Sequence, residues 1–575
     1  MFQASKTFVS VILPSWLHVF GQTNRSSATF PTLNRTVALP NGRTLTTFYN
    51  SGARWSPYNT HVHLSFTFAS EHAGKTAKLQ LLLHDRLSEA DGPPSRFSVA
   101  DMACVPTPVI PLPKRLVTSV TWATAEMLFD GISPDGTFSF LDTYAQLGLN
   151  TVPSVGLDPD GALPAVAPWA FAGNRTGWAG RHLRYGPELS GGSKAGWNGD
   201  SGVYSAPPNA TLVREMWLAH TGRAASDADV ADEMRKWQQA QAFFNQSKRI
   251  DYAYDGVFWQ ADVDAFCSTM QITVPEIIFV DDEGFDNYDS WRLHVSNSAN
   301  AVSQRYPGES DDALAWRIAD QMLGSWSHCL QDKEKFKDGA PEIIFYGDDR
   351  IGPAPRPAPD AIMHANGFTA SPSPYGPVHH PRMFADWLRV HKQRMVNNGR
   401  SRLFLPWLTA GTYGEMTAEA LLEGALLSLG VGATGFAFFS AADFDDGAKI
   451  LALSTATAMA APFEELFFEG EPLTHVDVTA TENVLAWSGM RGNGSVWLVV
   501  TPSRRGVRTA LTLANQTVGD AAACDLVSAR PMRLDGSSFS AVLRSTVVLH
   551  IASDAASAAG CGTPLGEHVW WPSRR

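Results

Sequence analysis

The stretch from Pro275 to Trp291, PEIIFVDDEGFDNYDSW, decides how the fold of this chain is interpreted. Its run from Ile277 to Val280 is β-branched and aromatic, which is typical of a strand buried on both faces. The run leads directly into Asp281, Asp282 and Glu283. Unpaired ionised carboxylates are costly to bury, so these acids do not serve the core. In a parallel barrel the carboxyl ends of the strands form the active-site face, and the stretch predicts such a strand end.

Strand and helix patterns alternate on both sides of this stretch. The predicted strands lie at residues 116–122, 150–155, 183–185, 275–283, 342–347, 361–366, 403–407 and 435–440. Roughly eight strands alternating with helices over about 350 residues match a (β/α)8 TIM-type barrel. A doubly wound open sheet is the alternative. It normally carries a glycine-rich phosphate turn after its first strand, and the WATAE sequence at residues 122–126 is no such turn.

Antiparallel patterns flank the barrel. Val62 to Phe68 alternates apolar and polar residues, and Asn41-Gly42 is a turn signal, so we expect an N-terminal β-sandwich. Val484 to Trp487 and Val496 to Val500 predict a hairpin in a C-terminal β-sandwich. The predicted organisation is a signal peptide at 1–21, the N-terminal β-sandwich at 28–105, a proline-rich linker at 106–114, the barrel at 115–470, the C-terminal β-sandwich at 471–555 and a polar tail at 556–575.

The N-terminus and the sequons point to export. Lys6 precedes a moderately apolar run from Phe8 to Phe20, and cleavage after Gly21 is expected, with an uncleaved anchor as the alternative. We therefore expect a secreted protein or one in an endomembrane, lysosome-like lumen, without stable membrane insertion. Seven N-x-[ST] sequons support this location, at Asn24, Asn34, Asn174, Asn209, Asn245, Asn493 and Asn515.

Cysteines, charge and missing motifs narrow the function classes. The five cysteines are too sparse for a disulfide scaffold, and at most two bridges are expected. Cys524 with Cys561 is the favoured pair because both lie in the C-terminal region, and buried free thiols are the alternative for most of the cysteines. The net charge of −12 disfavours nucleic acid as a partner. The chain contains no P-loop, no dinucleotide fingerprint and no G-x-S-x-G elbow, so no cofactor is expected.

Acidic residues recur after the predicted strand ends. Hydrolysis of a glycosidic bond needs two carboxyl groups, of which one donates a proton and the other attacks or activates water. Strand alternation places the first and third acids of the opening stretch on one side and the second on the other. Helix caps, salt bridges and a calcium site remain alternatives. The candidate catalytic residues are Glu283, Asp281, Asp282, Asp348 and Glu415.

Aromatic and polar residues near the same strand ends form a candidate sugar-binding platform. For each of them, packing in the core is the alternative. Zinc is rejected because the adjacent His379 and His380 point apart and no third ligand has a matching spacing, so no metal is expected. The candidate substrate-binding residues are Trp122, Tyr288, Trp291, Tyr346, His364, Asn366, Trp407, Tyr413 and Asp443.

These stretches resemble glycoside hydrolases with a (β/α)8 barrel and flanking β-sandwich domains. The resemblance rests on IIFVDDEGF (277–285), the acids after EIIFYG (342–347), PWLTAGTYGE (406–415), GVGATGFAFFSAADFDD (430–446) and APFEELFFEGEPL (461–473). In one large clan of these enzymes the acid/base and the nucleophile are glutamates after strands four and seven. Glu283 and Glu415 match those positions by strand count, without the usual Asn-Glu pair. Asp281 to Glu283 also matches the D-x-E ending of chitinase-like enzymes, without its upstream part. His364 to Asn366 offers no acid of the α-galactosidase type.

The resemblance and the acids together imply a glycosidase acting on a glycan or polysaccharide. Glu283 is the expected proton donor, supported by Asp281 or Asp282, and Glu415 or Asp348 is the expected second carboxylate. The alternative is a catalytically inactive carbohydrate-binding barrel protein, which keeps the platform but not the paired acids.

Overall fold

The computed structural model describes three successive units of the 575-residue chain. An antiparallel β-unit comes first, a unit of parallel strands and helices follows, and a second antiparallel β-unit ends the described chain. The described residues are 8–23, 33–49, 62–84, 96–104, 109–118, 145–152, 184–185, 188–190, 209–247, 251, 253–257, 259–260, 263, 277–281, 288–330, 342–347, 368–372, 380–397, 403–411, 416–439, 447–514, 522–528 and 530–552.

The N-terminal β-unit consists of two antiparallel sheets that share an apolar core. Its strands are β1 (Phe8–Pro14), β2 (Leu17–Thr23), β3 (Leu33–Leu39), β4 (Arg43–Tyr49), β5 (Val62–Phe68), β6 (Thr76–His84) and β7 (Arg96–Ala103). One sheet has the order β3-β4-β1-β6-β7, and β2 pairs with β5. Asn41 and Gly42 adopt positive φ angles of 65° and 67° between β3 and β4, as the turn signal predicted. The shared core contains Val11, Leu13, Leu17, Val19, Ala77, Leu79 and Cys104.

The strands β1 and β2 overlap the segment predicted as a signal peptide. β1 lies between β4 and β6 in the five-stranded sheet, and Val11 and Leu13 are buried in the core. A short apolar run of this kind suits both a leader and a central strand, so the signal peptide and the domain boundary at residue 28 stay predictions. The location of the protein stays a prediction.

Parallel strands form the middle unit. They are β8 (Val117–Thr118), β9 (Thr151–Val152), β10 (Arg184–Tyr185), β11 (Glu188–Ser190), β12 (Ile277–Asp281), β13 (Glu342–Gly347), β14 (Phe368–Pro372), β15 (Trp407–Thr409) and β16 (Gly435–Phe439). In the described chain they pair in the groups β10-β9, β11-β12-β13-β14 and β15-β16-β8, and each of these pairings is parallel. The last strand of the series therefore pairs with the first, Gly435 with Val117.

Helices alternate with these strands. They are α1 (Ala210–Thr221), α2 (Asp227–Ser247), α3 (Tyr288–Asn297), α4 (Ala299–Ser303), α5 (Asp311–Leu330), α6 (Pro381–Asn397), α7 (Ala418–Gly430), α8 (Gly447–Ala460) and α9 (Glu464–Glu469), with 3-10 turns at Ser70–His72 and Ala461–Phe463. Ser310 caps α5, since its hydroxyl accepts a hydrogen bond from the Ala313 amide at 3.2 Å. Pro381 opens α6, where its missing amide hydrogen is not needed.

One helical stretch among the described residues, Ala448–Glu469, is long and apolar enough to cross a membrane. In the folded protein 67% of its apolar window is buried. The stretch packs in the helix-side cluster, the large apolar core between the parallel strands and the C-terminal β-unit. Members of the helix-side cluster include Leu116, Phe404, Leu408, Leu421, Leu422, Leu426, Phe436, Phe438, Leu453, Met459, Phe467, Trp497 and Val548.

The C-terminal β-unit also has two antiparallel sheets around one core. Its strands are β17 (Glu471–Pro472), β18 (Val478–Ala480), β19 (Val484–Gly492), β20 (Ser495–Pro502), β21 (Val507–Leu513), β22 (Ala522–Asp525), β23 (Arg530–Met532), β24 (Leu534–Asp535), β25 (Ser538–Leu543) and β26 (Val547–Ala552). The sheet orders are β17-β19-β20-β26-β22-β23 and β18-β21-β25-β24. The predicted hairpin is confirmed, with Asn493 and Gly494 at positive φ between β19 and β20. Cys524 is disulfide-bonded, and its partner lies outside the described side chains.

The segment that leads from the N-terminal β-unit into the parallel strands is fixed to α9. The Glu464 carboxylate accepts hydrogen bonds from the backbone amides of Lys114 at 2.6 Å and Arg115 at 3.0 Å. The Arg115 guanidinium also lies 2.8 Å from the Glu469 carboxylate and over the ring of Phe468. The end of the proline-rich linker is thus held against the helix that precedes the C-terminal β-unit.

The pairing of β16 with β8 depends on Gly435. Its φ is +149°, and a Cβ atom there would lie 1.9 Å from the Val117 carbonyl oxygen, so backbone would have to move. We expect Gly435→Ala to lower the free energy of unfolding by about 3 kcal/mol, measured by chemical denaturation. Gly506→Ala is the control, because a Cβ atom at Gly506 would contact no other atom. Only the positive φ of +78° opposes this substitution, and it should lower the free energy of unfolding by about 1 kcal/mol. Equal losses in the two variants would contradict the close approach of β16 and β8.

Candidate active site

The register of β11 to β14 aligns their carboxyl ends at one edge of the sheet. Ser190 pairs with Asp281, Val280 with Phe345, and Gly347 with Pro372. Asp281 is the last residue of β12, and Asp282 and Glu283 follow it in sequence. Asp348 directly follows the last residue of β13 in sequence. The side chain of Asp281 and all of Asp282, Glu283 and Asp348 lie outside the described structure.

A second edge is formed by β15, β16 and β8. Thr409 pairs with Phe439, and these are the last residues of β15 and β16. The segment from 410 to 417 follows β15 and carries Glu415 and Tyr413, and the segment from 440 to 446 follows β16 and carries Asp443. The candidate residues of both segments lie outside the described residues, as does Trp122. Their positions in sequence nevertheless follow the carboxyl ends of parallel strands, as predicted.

An apolar cluster connects the two groups of strands. This Trp407 cluster consists of buried residues from β8, β12, β16 and the 403–407 segment that leads into β15: Val117, Ile277, Leu403, Leu405, Trp407 and Ala437. On β15 and β16, the residues between these, Leu408, Phe436 and Phe438, belong to the helix-side cluster instead. These two strands are therefore covered by apolar residues on both faces, as parallel sheets require.

One candidate substrate-binding residue occupies a position that differs from the expectation. Trp407 is fully buried in the Trp407 cluster, so it packs beneath the strand ends and presents no ring face to a sugar. The strand β14 at Phe368–Pro372 pairs with β13, whereas the strand predicted at 361–366, with His364 and Asn366, lies outside the described residues. The roles of His364 and Asn366 stay predictions.

For three further aromatic candidates the structure describes the backbone alone. Tyr288 is the first residue of α3 and Trp291 lies in its first turn. This helix is the next described element after β12, so both residues follow the same carboxyl end as the acids. Tyr346 is the penultimate residue of β13, next to the same edge. Their role as a sugar platform stays a prediction.

A lysine that the sequence interpretation overlooked lies at the second edge. Lys449 is only 8% exposed, and its ammonium donates a hydrogen bond to the Ala410 carbonyl at 2.8 Å. Ala410 directly follows β15, and Lys449 is in the first turn of α8, which follows β16. Beside them the fully buried Thr409 hydroxyl accepts from the Gly411 amide at 3.2 Å. The sequence signal was available, because Lys449 is the one charged residue of GAKILALSTATAMA.

Two buried carboxylates, Asp251 and Glu233, join α2, the segment after it and α4. Asp251 accepts hydrogen bonds from the Ser298 hydroxyl at 2.6 Å, the Asn300 amide at 2.8 Å and the Ala253 amide at 3.2 Å. Burial is the main cause that raises the pKa of Asp251, and the hydrogen bonds oppose it. These three hydrogen bonds join the segment after α2 to the N-terminus of α4.

Glu233 on α2 is the second of these carboxylates. It is 2% exposed and accepts hydrogen bonds from the Tyr254 hydroxyl and, at 3.1 Å, from the Val257 amide. Burial raises the pKa of Glu233, and the two hydrogen bonds partly offset this. Gly256 is required beside it, since a Cβ there would lie 2.1 Å from the Glu233 Oε1 atom. Within the described part of the chain no three His, Cys, Asp or Glu residues are grouped as metal ligands.

No family model and no curated protein matches the chain. Among solved structures, an α-amylase of Anoxybacillus has a TM-score of 0.41 and 9% identity, over 74% of this chain and 90% of that chain. An α-fucosidase of Thermotoga maritima in complex with a mechanism-based inhibitor has a TM-score of 0.35 and 9% identity, over 78% and 97%. An endoxylanase of Clostridium papyrosolvens has a TM-score of 0.29 and 10% identity, over 78% and 98%. The solved structures that the chain resembles are thus glycoside hydrolases, and no specific family follows from them.

The buried carboxyl of Glu233 makes stability depend on pH. Because the folded-state pKa is raised, the folded state binds more protons, and stability falls as pH rises from the ordinary carboxyl pKa through the raised one. Glu233→Gln keeps an oxygen acceptor for Tyr254 and Val257 and removes the titration. We expect its stability, measured by urea denaturation from pH 4 to pH 8, to fall less across this range than that of the wild type.

The matched control is Glu482→Gln, an exposed glutamate in the turn before β19. It makes the same change of charge as Glu233→Gln, but at an exposed position. The stability of this variant should therefore vary with pH as that of the wild type does. If Glu233→Gln and the wild type lose stability in parallel as pH rises, Glu233 is not a source of the pH dependence.

Proposed function

We propose that this protein is a glycoside hydrolase acting on a glycan or polysaccharide. One observation supports this most: the parallel register brings the ends of β12 and β13 to the same edge, where Asp281, Asp282 and Glu283 follow one strand and Asp348 follows the other. Two carboxyl groups on either side of a glycosidic bond are the machinery that its hydrolysis needs. Neighbouring parallel strands are about 4.8 Å apart, so the segments that carry these acids leave the sheet from adjacent backbone positions.

Closure of the parallel strands into a (β/α)8 barrel is part of the proposal. The pairing of β16 with β8 supports it, because in a closed barrel the last strand pairs with the first. The Trp407 cluster supports it as well, since Ile277 of β12 lies in one cluster with residues of β8, β16 and the segment leading into β15. The Asn150 amide donates to the Thr118 carbonyl at 3.2 Å, which brings the beginning of β9 beside β8. In a closed barrel, the carboxyl ends of both groups of strands would surround the same opening, which is called the mouth below.

The flanking units complete the proposed organisation. We assign the N-terminal β-unit from Phe8 to about residue 105 and the C-terminal β-unit from 471 to about 555 as β-sandwiches on either side of the barrel at 115–470. A secreted or luminal location remains part of the proposal. It is supported by the disulfide at Cys524 and by three sequon asparagines on the surface, Asn209, Asn245 and Asn493.

The proposed roles of the acids follow from the strand geometry. Positions 277 and 281 share one face of β12 by alternation, and Ile277 is in the Trp407 cluster, so position 281 is on the face toward the mouth. Glu283, two residues further, is the proposed proton donor, with Asp281 or Asp282 supporting it. Glu415 or Asp348 is the second carboxylate, which attacks the anomeric carbon or activates water for this attack.

The proposed substrate site lies above the apolar floor formed by Trp407. Trp122, Tyr288, Trp291, Tyr346 and Tyr413 supply candidate aromatic surfaces around it, and Asp443 a hydrogen-bond acceptor. Aromatic rings bind the apolar faces of sugar rings by contact area. The net charge of −12 favours neutral or cationic glycans over polyanionic ones.

A hydrolysis screen over a panel of α- and β-linked glycans tests this function. We expect the wild type to release sugar from at least one of them, and Glu283→Gln to lower kcat about 10²-fold or more, because the leaving oxygen loses its proton donor. Glu415→Gln and Asp348→Asn are compared to identify the second carboxylate. The variant that loses kcat to a similar extent as Glu283→Gln marks that residue.

Glu482→Gln is the matched control, since it removes one carboxylate from an exposed position in the C-terminal β-unit. It should retain wild-type kcat. Equal activity of Glu283→Gln and the wild type would remove Glu283 from its role. Binding of glycans without any hydrolysis by the wild type would favour the inactive carbohydrate-binding barrel instead.

A further inference from the structure

We propose that the side-chain amide of Asn493 carries an N-linked glycan. Asn493, Gly494 and Ser495 form an N-x-S sequon at the tip of the hairpin between β19 and β20. This inference rests on the secreted or luminal location that belongs to the proposed function, and it is independent of the hydrolysis chemistry. It assigns a modification to one atom, the Asn493 Nδ2 atom.

The backbone of the hairpin presents Asn493 at its outermost point. Gly492 pairs with Ser495, so Asn493 and Gly494 form a two-residue loop, with φ angles of 47° and 74°. Two successive residues at positive φ are typical of a type I′ turn, which favours Asn followed by Gly. Both loop residues are exposed. The turn therefore sets the conformation of the sequon, which does not depend on a glycan.

The hairpin behind this tip is anchored in apolar cores. Met490 and Trp497 pack in the helix-side cluster, and Val496 packs in the core that the two C-terminal sheets share. All three side chains are buried. Because the tip extends from a packed base, a glycan attached to Asn493 projects into solvent and displaces no core side chain. Bulky, hydrophilic modifications of this kind belong on the surface of a protein.

The Asn493 side chain is available for modification. It makes no hydrogen bond to any residue in the part of the chain that the structure describes. The hydroxyl of Ser495, the third residue of the sequon, donates to the Gly492 carbonyl at 3.2 Å and leaves the Asn493 amide unoccupied. Attachment of a sugar to the Nδ2 atom thus breaks no described hydrogen bond.

Two other sequon asparagines with described side chains lie in helical structure. Asn209 is the N-cap of α1, and its Oδ1 atom accepts a hydrogen bond from the Leu212 amide at 2.9 Å. Asn245 and both following residues of its sequon lie in the last turn of α2. Among these three asparagines, Asn493 combines an exposed turn outside a helix with a side-chain amide that has no partner in the described structure. The geometry therefore favours Asn493.

The attachment chemistry needs a sugar donor that a secretory compartment supplies, an oligosaccharide joined to a lipid through pyrophosphate. The Asn493 Nδ2 atom forms a bond to the anomeric carbon of the first sugar and loses one proton. The bond between that carbon and the pyrophosphate oxygen breaks, and the lipid pyrophosphate leaves with the electron pair. The transfer is a substitution, so it needs neither an oxidant nor a reductant.

Substitutions of Ser495 test the site without altering the turn, because they keep Asn493 and Gly494. Ser495→Ala removes the hydroxyl that the sequon requires, whereas Ser495→Thr keeps a hydroxyl and suits a strand. The full-length chain is expressed in a eukaryotic cell that performs N-glycosylation, and its proteolytic peptides are analysed by mass spectrometry. We expect an intact glycopeptide containing Asn493 from the wild type and Ser495→Thr, and its complete loss in Ser495→Ala.

Ser503→Ala is the matched control. Ser503 is an exposed serine directly after β20 and belongs to no sequon, so its removal should leave the glycopeptide of Asn493 in place. Thermal unfolding of each variant shows whether it is folded. If Ser495→Ala does not fold, the glycopeptide maps of the wild type and Ser495→Thr still decide the assignment.

The outcomes separate this inference from the proposed function. Unmodified Asn493 together with a glycan at Asn209 or Asn245 overturns the assignment and keeps the luminal location. Absence of glycans from every sequon overturns both the assignment and the location. Neither result bears on the hydrolysis screen, whose failure would overturn the glycosidase alone. A glycan at Asn493 that Ser495→Ala lacks and Ser495→Thr retains supports the proposal.

Discussion

Parallel backbone pairing is the interaction on which the rest of the structure depends. Hydrogen bonds between β12, β13 and β14, and between β15, β16 and β8, set a register that aligns the carboxyl ends of the strands within each group. Because the residues near those ends come from strands far apart in sequence, backbone pairing determines which of them are neighbours. Gly435 shows how close this pairing is, since the Val117 carbonyl occupies the space of a Cβ atom.

Burial on both faces then determines where polar residues can go. The helix-side cluster covers one face of β15 and β16, and the Trp407 cluster covers the other. Neither face tolerates an unpaired carboxylate, because its desolvation would cost several kcal/mol or more. Acids in this part of the chain are therefore confined to the segments beyond the strand ends. The same constraint explains why Trp407, an aromatic residue next to a strand end, fills the core and does not line a surface.

Several buried charges among the described residues join separate segments of the chain. Glu233 and Asp251 receive hydrogen bonds from hydroxyl, amide and backbone donors, and these bonds join α2, the segment after it and α4. The Lys449 ammonium donates to the Ala410 carbonyl and so joins the start of α8 to the segment after β15. Buried polar groups need such partners, and here the partners connect different parts of the backbone.

The sequence by itself determined the parts that depend on local pattern. The apolar run of β12, the EIIFYG strand, the Ser310 cap and the turns at Asn41-Gly42 and Asn493-Gly494 all follow from residues close together in the chain. Only the tertiary structure decided features that depend on distant partners. The run at Phe8 became a central strand because β4 and β6 pair with it. The strand β14 at Phe368–Pro372 is defined by its pairing with β13, and Lys449 contacts Ala410 because β16 pairs with β15. Local pattern specifies which segments can form strands and where charged residues follow them. Pairing between distant segments specifies which residues are in contact in the folded protein.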